Sequence, residues 1–197
     1  TMDFLNSLSI INGNLTPQKI LIKDDDDIYI NIFNIQLNDK YKDPFNQNMD
    51  SIADIVFVAP ECIEDNFDLS YKIDVYSFGV IYYQILSMSK QFSINDSKPK
   101  TCFQLLSKIL KGEHFVKPNN ATDAQYNFYI ECTNLDANKR PSFGEIAERL
   151  ETDKSLWPGR IKMTKFRAFV DKCKKINKES KEKIEKSLKL KREVDDA

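Results

Sequence analysis

The 197 residues include 41% hydrophobic side chains and a formal charge of −1, enough apolar content for one good core with no need of a second domain. Cys62, Cys102, Cys132 and Cys173 are scattered with no Cys-x-x-Cys pair, and His114 is the single histidine, which argues against a zinc site or a disulfide framework. No apolar run reaches the length of a membrane-spanning helix and no leader pattern is present, so reduced thiols in the cytoplasm are the expectation.

In chain order, Thr1 to Ile10 reads as the end of a helix, and Leu15 to Ile22 as a proline-containing turn running into a strand. Asp24 to Asp27 follow, four carboxylates in a row, which read as a solvated turn tip ahead of a metal site. Ile28 to Asn31 reads as the returning strand of a small hairpin. From Ile35 to Val58 the chain is polar and rich in Asn and Asp, a surface segment. Val75 to Leu86 is apolar on nearly every side of a 3.6-residue period, the mark of a helix buried all round. Amphipathic helices are predicted at about Thr101 to Lys111 and Asp123 to Thr133. A further helix over Ser142 to Leu150 opens with Ser142 three residues before Glu145, a capping box.

The charge is uneven. Residues 160–197 hold 14 Lys or Arg against 7 Asp or Glu, so this tail is +7 and the remainder −8. Glu179 and Lys183, Glu182 and Lys186, and Glu185 and Lys189 are each four apart, an orientation that supports a solvated helix. Ile176, Ile184 and Leu188 give that helix only a thin apolar stripe. The tail reads as an exposed basic extension able to dock back on the negative part. Contact with a partner helix or a membrane surface is the alternative, and the lack of aromatic residues in the last two dozen positions disfavours nucleic acid.

Three blocks then stand in order: Ala59-Pro60-Glu61, Asp74-Val-Tyr-Ser-Phe-Gly79, and Lys139-Arg140-Pro141-Ser142-Phe143. Together they resemble the carboxy-terminal lobe of a eukaryotic protein kinase. Asp74 to Gly79 and the run from Cys132 to Phe143 look most like the tyrosine-kinase-like group. The resemblance covers about Met2 to Trp157. It implies a mainly α fold: a kinase-like C-lobe over residues 1–157 with a small β-hairpin near its start, and a basic helical extension over 158–197. The Gly-rich loop and strand lysine of an amino-terminal lobe have no counterpart in these residues, so that lobe is expected to be absent.

By the same resemblance Leu15 to Ile22 is the catalytic loop and the strand after it. Asn12-Gly13-Asn14 stands where kinases carry His-Arg-Asp, and Lys19 where they carry the metal-binding Asn. An amide at Asn14 accepts a hydrogen bond but is a very poor base, and the Lys19 ammonium offers magnesium no lone pair. Ile32-Phe33-Asn34 stands where Asp-Phe-Gly would be, and Ile32 has no oxygen with which to replace the second metal-binding Asp. Gly13 also removes the cation that receives an activation-loop phosphate.

Other matching residues have structural work in the family. Glu61 and Arg140 are implied to form a buried ion pair, and Asp74 to accept hydrogen bonds from the catalytic-loop backbone. Asp74 is equally compatible with an ordinary acidic residue at a helix N-terminus. Leu21 is implied to face an adenine ring. With no lobe to cover it, that face would be an apolar patch able to hold a protein partner. The expectation is a pseudokinase-like interaction or regulatory module with no cofactor, ATP and magnesium entering only if an amino-terminal lobe is supplied. Protein partners would use the uncovered face or the C-terminal helix, and nucleic acid is not expected. The competing expectation is a fragment of an active ATP-dependent Ser/Thr or Tyr protein kinase with its other lobe encoded upstream.

Overall fold

The computed structural model describes residues 2–22, 28–30, 55–63, 69–88, 92–94, 98–159 and 163–195. Its elements are helix α1 (Met2–Ser7), an antiparallel pair of strands β1 (Ile20–Ile22) and β2 (Ile28–Ile30), and helices α2 (Lys72–Ser87), α3 (Cys102–Ile109), α4 (Asp123–Cys132), α5 (Phe143–Thr152) and α6 (Met163–Asp195). The fold is thus mainly α with a small hairpin near its start. Short 3-10 turns fall at Pro17–Lys19, Pro60–Ile63, Ala137–Lys139 and Lys154–Leu156. The chain divides into two units, Met2–Pro158 and Gly159–Ala197.

Helix α1 ends where Ser9 takes a left-handed conformation, φ 57°. The Ile10 N–H then donates to the Leu5 carbonyl and the Ser9 N–H to the Asn6 carbonyl, both at 2.9 Å, so the last carbonyls of the helix are satisfied as the chain reverses. This reversal delivers residues 11–19 to the N-terminal end of α2. Beyond the loop, the hairpin pairs Ile20 with Ile30, Leu21 with Tyr29 and Ile22 with Ile28.

Helix α2 is the axis of the first unit. Ile73, Val75, Tyr76, Val80, Ile81, Tyr82, Tyr83 and Leu86 are all buried, and Ile85, 52% exposed in the last turn, is where the helix meets solvent. A helix with so many buried positions must be enclosed by neighbours over most of its length, and α4 supplies one flank. The two helices meet at Gly79: a Cβ added there would stand 2.8 Å from both Cys132 Cβ and Thr133 Cγ2. At the far end of α2, Tyr83 packs among Phe92, Phe115 and Tyr129, with ring centroids 4.9–6.3 Å apart. The hydroxyls in this cluster are used: Tyr83 donates to the Val116 carbonyl at 2.8 Å and Tyr126 to the Phe115 carbonyl at 2.7 Å.

Helices α4 and α5 both start on complete capping boxes. In the first, Thr122 and Gln125 bond reciprocally; in the second, Ser142 and Glu145 do so. The segment after α5 is pinned by side chains from elsewhere. The Gln125 amide donates to the Trp157 carbonyl at 2.7 Å, the Trp157 indole donates to the Leu150 carbonyl at 2.7 Å, and Tyr82 donates to the Leu156 carbonyl.

The second unit is dominated by α6, 33 residues long. Its Phe166, Phe169, Val170, Cys173 and Ile184 are half-buried while Ile176 is 49% exposed, so the apolar stripe starts earlier than the three aliphatic positions visible in the tail indicate.

The close approach at Gly79 generates a prediction. Gly79→Ala forces a methyl group into Cys132 and Thr133 and should destabilise the chain by about 1–3 kcal/mol. A denaturant midpoint unchanged from that of the unaltered chain would refute the tight crossing of α2 and α4.

Candidate functional site

Two polar clusters occupy the N-terminal end of α2, and each joins segments far apart in sequence. In the first, Asp74 is 1% exposed. Its carboxylate accepts the Asn12 N–H at 2.8 Å on one oxygen and the Gly13 N–H at 2.7 Å on the other. Two consecutive backbone donors converge on one anion because Gly13 sits at φ 68°, a left-handed value that glycine adopts without steric cost. The loop is tightened further by the Asn14 N–H, which donates to the Asn12 side-chain oxygen at 3.1 Å, and it is anchored by Leu15, 2% exposed.

Burial opposes the charge on Asp74 and pushes its carboxyl from an ordinary 3.8 up to about 6, with the two backbone donors acting against that rise. The sign is the reverse of a salt-bridged carboxylate. A folded value above the unfolded one contributes stability that is present below about pH 4 and is lost as pH rises through about 6.

The second cluster centres on Arg140, also 1% exposed. Its guanidinium makes a two-pronged ion pair with Glu61, Nη1 to Oε1 at 2.6 Å and Nη2 to Oε2 at 2.7 Å. Nη1 donates again to the Lys72 carbonyl at 2.9 Å, and Nε donates to the Asn134 carbonyl at 2.8 Å. The plane lies over the Tyr76 ring, 5.2 Å from its centroid. Lys72 closes the circuit by donating from Nζ to the Arg140 carbonyl. The pair therefore ties the 3-10 turn at Pro60–Ile63 to the start of α2 and to the turn before α5. Ser77 adds a second tie between α2 and that segment, donating to the Phe57 carbonyl at 2.7 Å.

The remaining candidates lie around the first cluster. Asn14 is exposed, and Lys19 is half-buried at the end of the Pro17–Lys19 turn. Leu21 is 53% exposed on β1. Ile32, with Phe33, Asn34 and the acidic run from Asp24 to Asp27, lies outside the described residues. The structure thus brings Asp74 onto the loop that carries Asn14, and Glu61 onto Arg140. Lys72 lies outside the sequence motifs, and Tyr76 and Ser77 lie inside the Asp74 to Gly79 block with no role assigned to them there. Asn134 lies within the Cys132 to Phe143 run, but its contribution is a backbone carbonyl, which no side-chain pattern encodes.

This architecture coincides with a family match. Residues 1–150 fit the model of the protein tyrosine and serine/threonine kinase family. The chain belongs to that family. It is 26% identical over 170 residues to platelet-derived growth factor receptor alpha of Gallus gallus, covering 86% of this chain and 15% of that protein. It is 28% identical over 188 residues to tyrosine-protein kinase receptor old-1 of Caenorhabditis elegans, covering 93% and 36%. A third relative, the Raf homolog serine/threonine-protein kinase of Caenorhabditis elegans, is 30% identical over 155 residues, covering 76% and 19%. The chain thus spans roughly a third or less of the length of these relatives. Among the described residues no helix is long and apolar enough to cross a membrane.

Two predictions follow from the clusters. Glu61→Ala leaves the Arg140 charge buried and unpaired and should cost about 3–5 kcal/mol, lowering the melting temperature by roughly 6–20 °C in a domain of this size. Glu61→Gln should fall in between, because the amide keeps one acceptor; an unchanged melting curve for Glu61→Ala would refute the account. For Asp74, the stability difference between the unaltered chain and Asp74→Asn, followed by urea unfolding, should shift against the unaltered chain between about pH 4 and pH 6. A flat difference across that interval would remove the buried carboxyl as its source.

Proposed function

We propose that this chain is a pseudokinase-like C-lobe, a protein kinase scaffold impaired in phosphoryl transfer that serves as an interaction or regulatory module. The observation that carries the reading is the contrast within one loop. Asp74 holds the backbone of residues 12 and 13, yet the side chains offered at the aligned chemical positions are Asn14 and Lys19. A kinase loop needs a carboxylate to accept the substrate proton and an oxygen donor for magnesium. Asn14 supplies neither a usable base nor a charge, and Lys19 places a cation where a cation must be held. Ile32, the aligned position for the other metal-binding carboxylate, is a hydrocarbon. These side chains do not fit a magnesium ion.

A second reading draws on the relatives, two of which carry kinase in their names and all of which are much longer than this chain. In it, the 197 residues are part of an ATP-dependent Ser/Thr or Tyr kinase that tolerates the altered loop.

The test is made on the natural gene product with labelled ATP and magnesium. No phosphate transfer is expected from it, and transfer should appear when Asn14→Asp, Lys19→Asn and Ile32→Asp are introduced together. Turnover by the unaltered protein would decide for the second reading. A thermal-shift titration complements the assay, since one-site binding at a hundred times the dissociation constant stabilises by about 2.7 kcal/mol. No magnesium-dependent shift is expected; finding one would overturn the roles given to Lys19 and Ile32.

A further inference from the structure

Helix α3 turns Leu105, Leu106 and Ile109 into the core, and its other side is uncovered. There Phe103 is 76% exposed, in an open groove of about 510 Å³. Lys98, Lys100, Lys108 and Lys111 line the same groove, and the one carboxylate among its lining residues is Glu113, 3.6 Å from Lys108. The rim therefore has a positive balance around one aromatic ring. No residue of the loop 12–19 contributes to it.

The groove wall is fixed before anything binds. Pro99 is buried between the two exposed lysines that flank it. The Lys100 N–H donates to the Gln104 side-chain oxygen at 2.9 Å, and the Gln104 N–H donates to Thr101 Oγ1 at 3.2 Å. A preorganised wall reduces the ordering cost of association. Chemistry then narrows the occupant. Lysine ammonium groups are point charges on flexible stems, able to meet carboxylates in several geometries, whereas single-stranded nucleic acid is held in addition by stacking of its bases on successive rings. Among the described residues the groove has one ring. The eight residues of α3 span about 12 Å, the reach of about four residues of extended chain.

We propose that this groove binds an acidic peptide segment of a partner protein, with one apolar side chain seated on Phe103 and flanking carboxylates held by Lys100 and Lys111. Because the groove shares no residue with the catalytic-loop region, the inference holds whether or not the chain transfers phosphate.

The test is selection of a random dodecapeptide phage library on the full chain, with counter-selection on Phe103→Ala and on the double variant Lys100→Glu, Lys111→Glu. All three positions are exposed, so the variants should melt with the unaltered chain, and melting curves check that they do. The expected survivors carry Asp or Glu on both sides of an apolar residue. A labelled synthetic copy should bind at least tenfold more weakly to either variant, weaken as salt rises, and regain affinity for the double variant when its acids are replaced by lysines. An empty selection, survivors without acidic residues, or peptides that bind the variants equally well would overturn the proposal. So would Phe103-dependent capture by phosphatidylserine vesicles or by a single-stranded oligonucleotide that displaces the peptide.

Discussion

The guanidinium of Arg140 is the constraint on which the first unit depends. It is fully desolvated, so each of its donors must find an acceptor inside the protein, and the acceptors come from three separate stretches: Glu61, the Lys72 carbonyl and the Asn134 carbonyl. A buried pair of this kind adds little net stability over a well-packed apolar alternative, because desolvating both charges offsets most of their attraction. Its effect is on geometry. With the charge present, any arrangement that moves the 60–63 turn away from the start of α2 leaves a cation unpaired in the interior, so competing compact states are disfavoured by several kcal/mol.

Apolar packing operates under the same restriction from the other side. Helix α2 is enclosed over most of its length, and at Gly79 its backbone lies so near α4 that a single methyl group does not fit without a shift. Arg140 fixes where α2 begins and Gly79 fixes how closely α4 lies against it. Buried thiols here take a purely structural part: Cys132 packs at this crossing, and burial pushes its thiol up to about 12, far from the range of a reactive thiolate.

Much of this was legible in the sequence, for reasons that differ by element. The all-apolar period of residues 75–86 announces a buried helix, and the Ser142–Glu145 spacing announces a helix start because the capping box is a local hydrogen-bond pattern. The Thr122–Gln125 box is the same device and could have been found by the same search. What the sequence left hidden is contributed by backbone atoms or by distance. Asn134 and Lys72 act through carbonyls, and Ser77 reaches a carbonyl twenty residues earlier. The exposed side of α3 was hidden for another reason: the period shows which residues turn inward, but not that Lys98, Lys100 and Phe103 gather around one groove.

The two polar clusters also differ in what they allow to change. Asp74 grips its loop through the N–H groups of residues 12 and 13, which any residue but proline supplies, so an exposed side chain such as that of Asn14 can be exchanged while the buried Asn12 and Leu15 keep the loop in place. Position 13 needs a left-handed φ, which glycine meets without strain and a branched side chain does not. Arg140, by contrast, acts through its own side chain, and no other residue presents a permanent charge with five donors in a planar fork. A lineage released from selection for chemistry would therefore drift at Asn14 and Lys19 and hold at Glu61, Asp74 and Arg140. That difference in constraint is what the proposed reading needs, because Asp74 and the Glu61–Arg140 pair hold the base of the loop without calling on the Asn14 or Lys19 side chains.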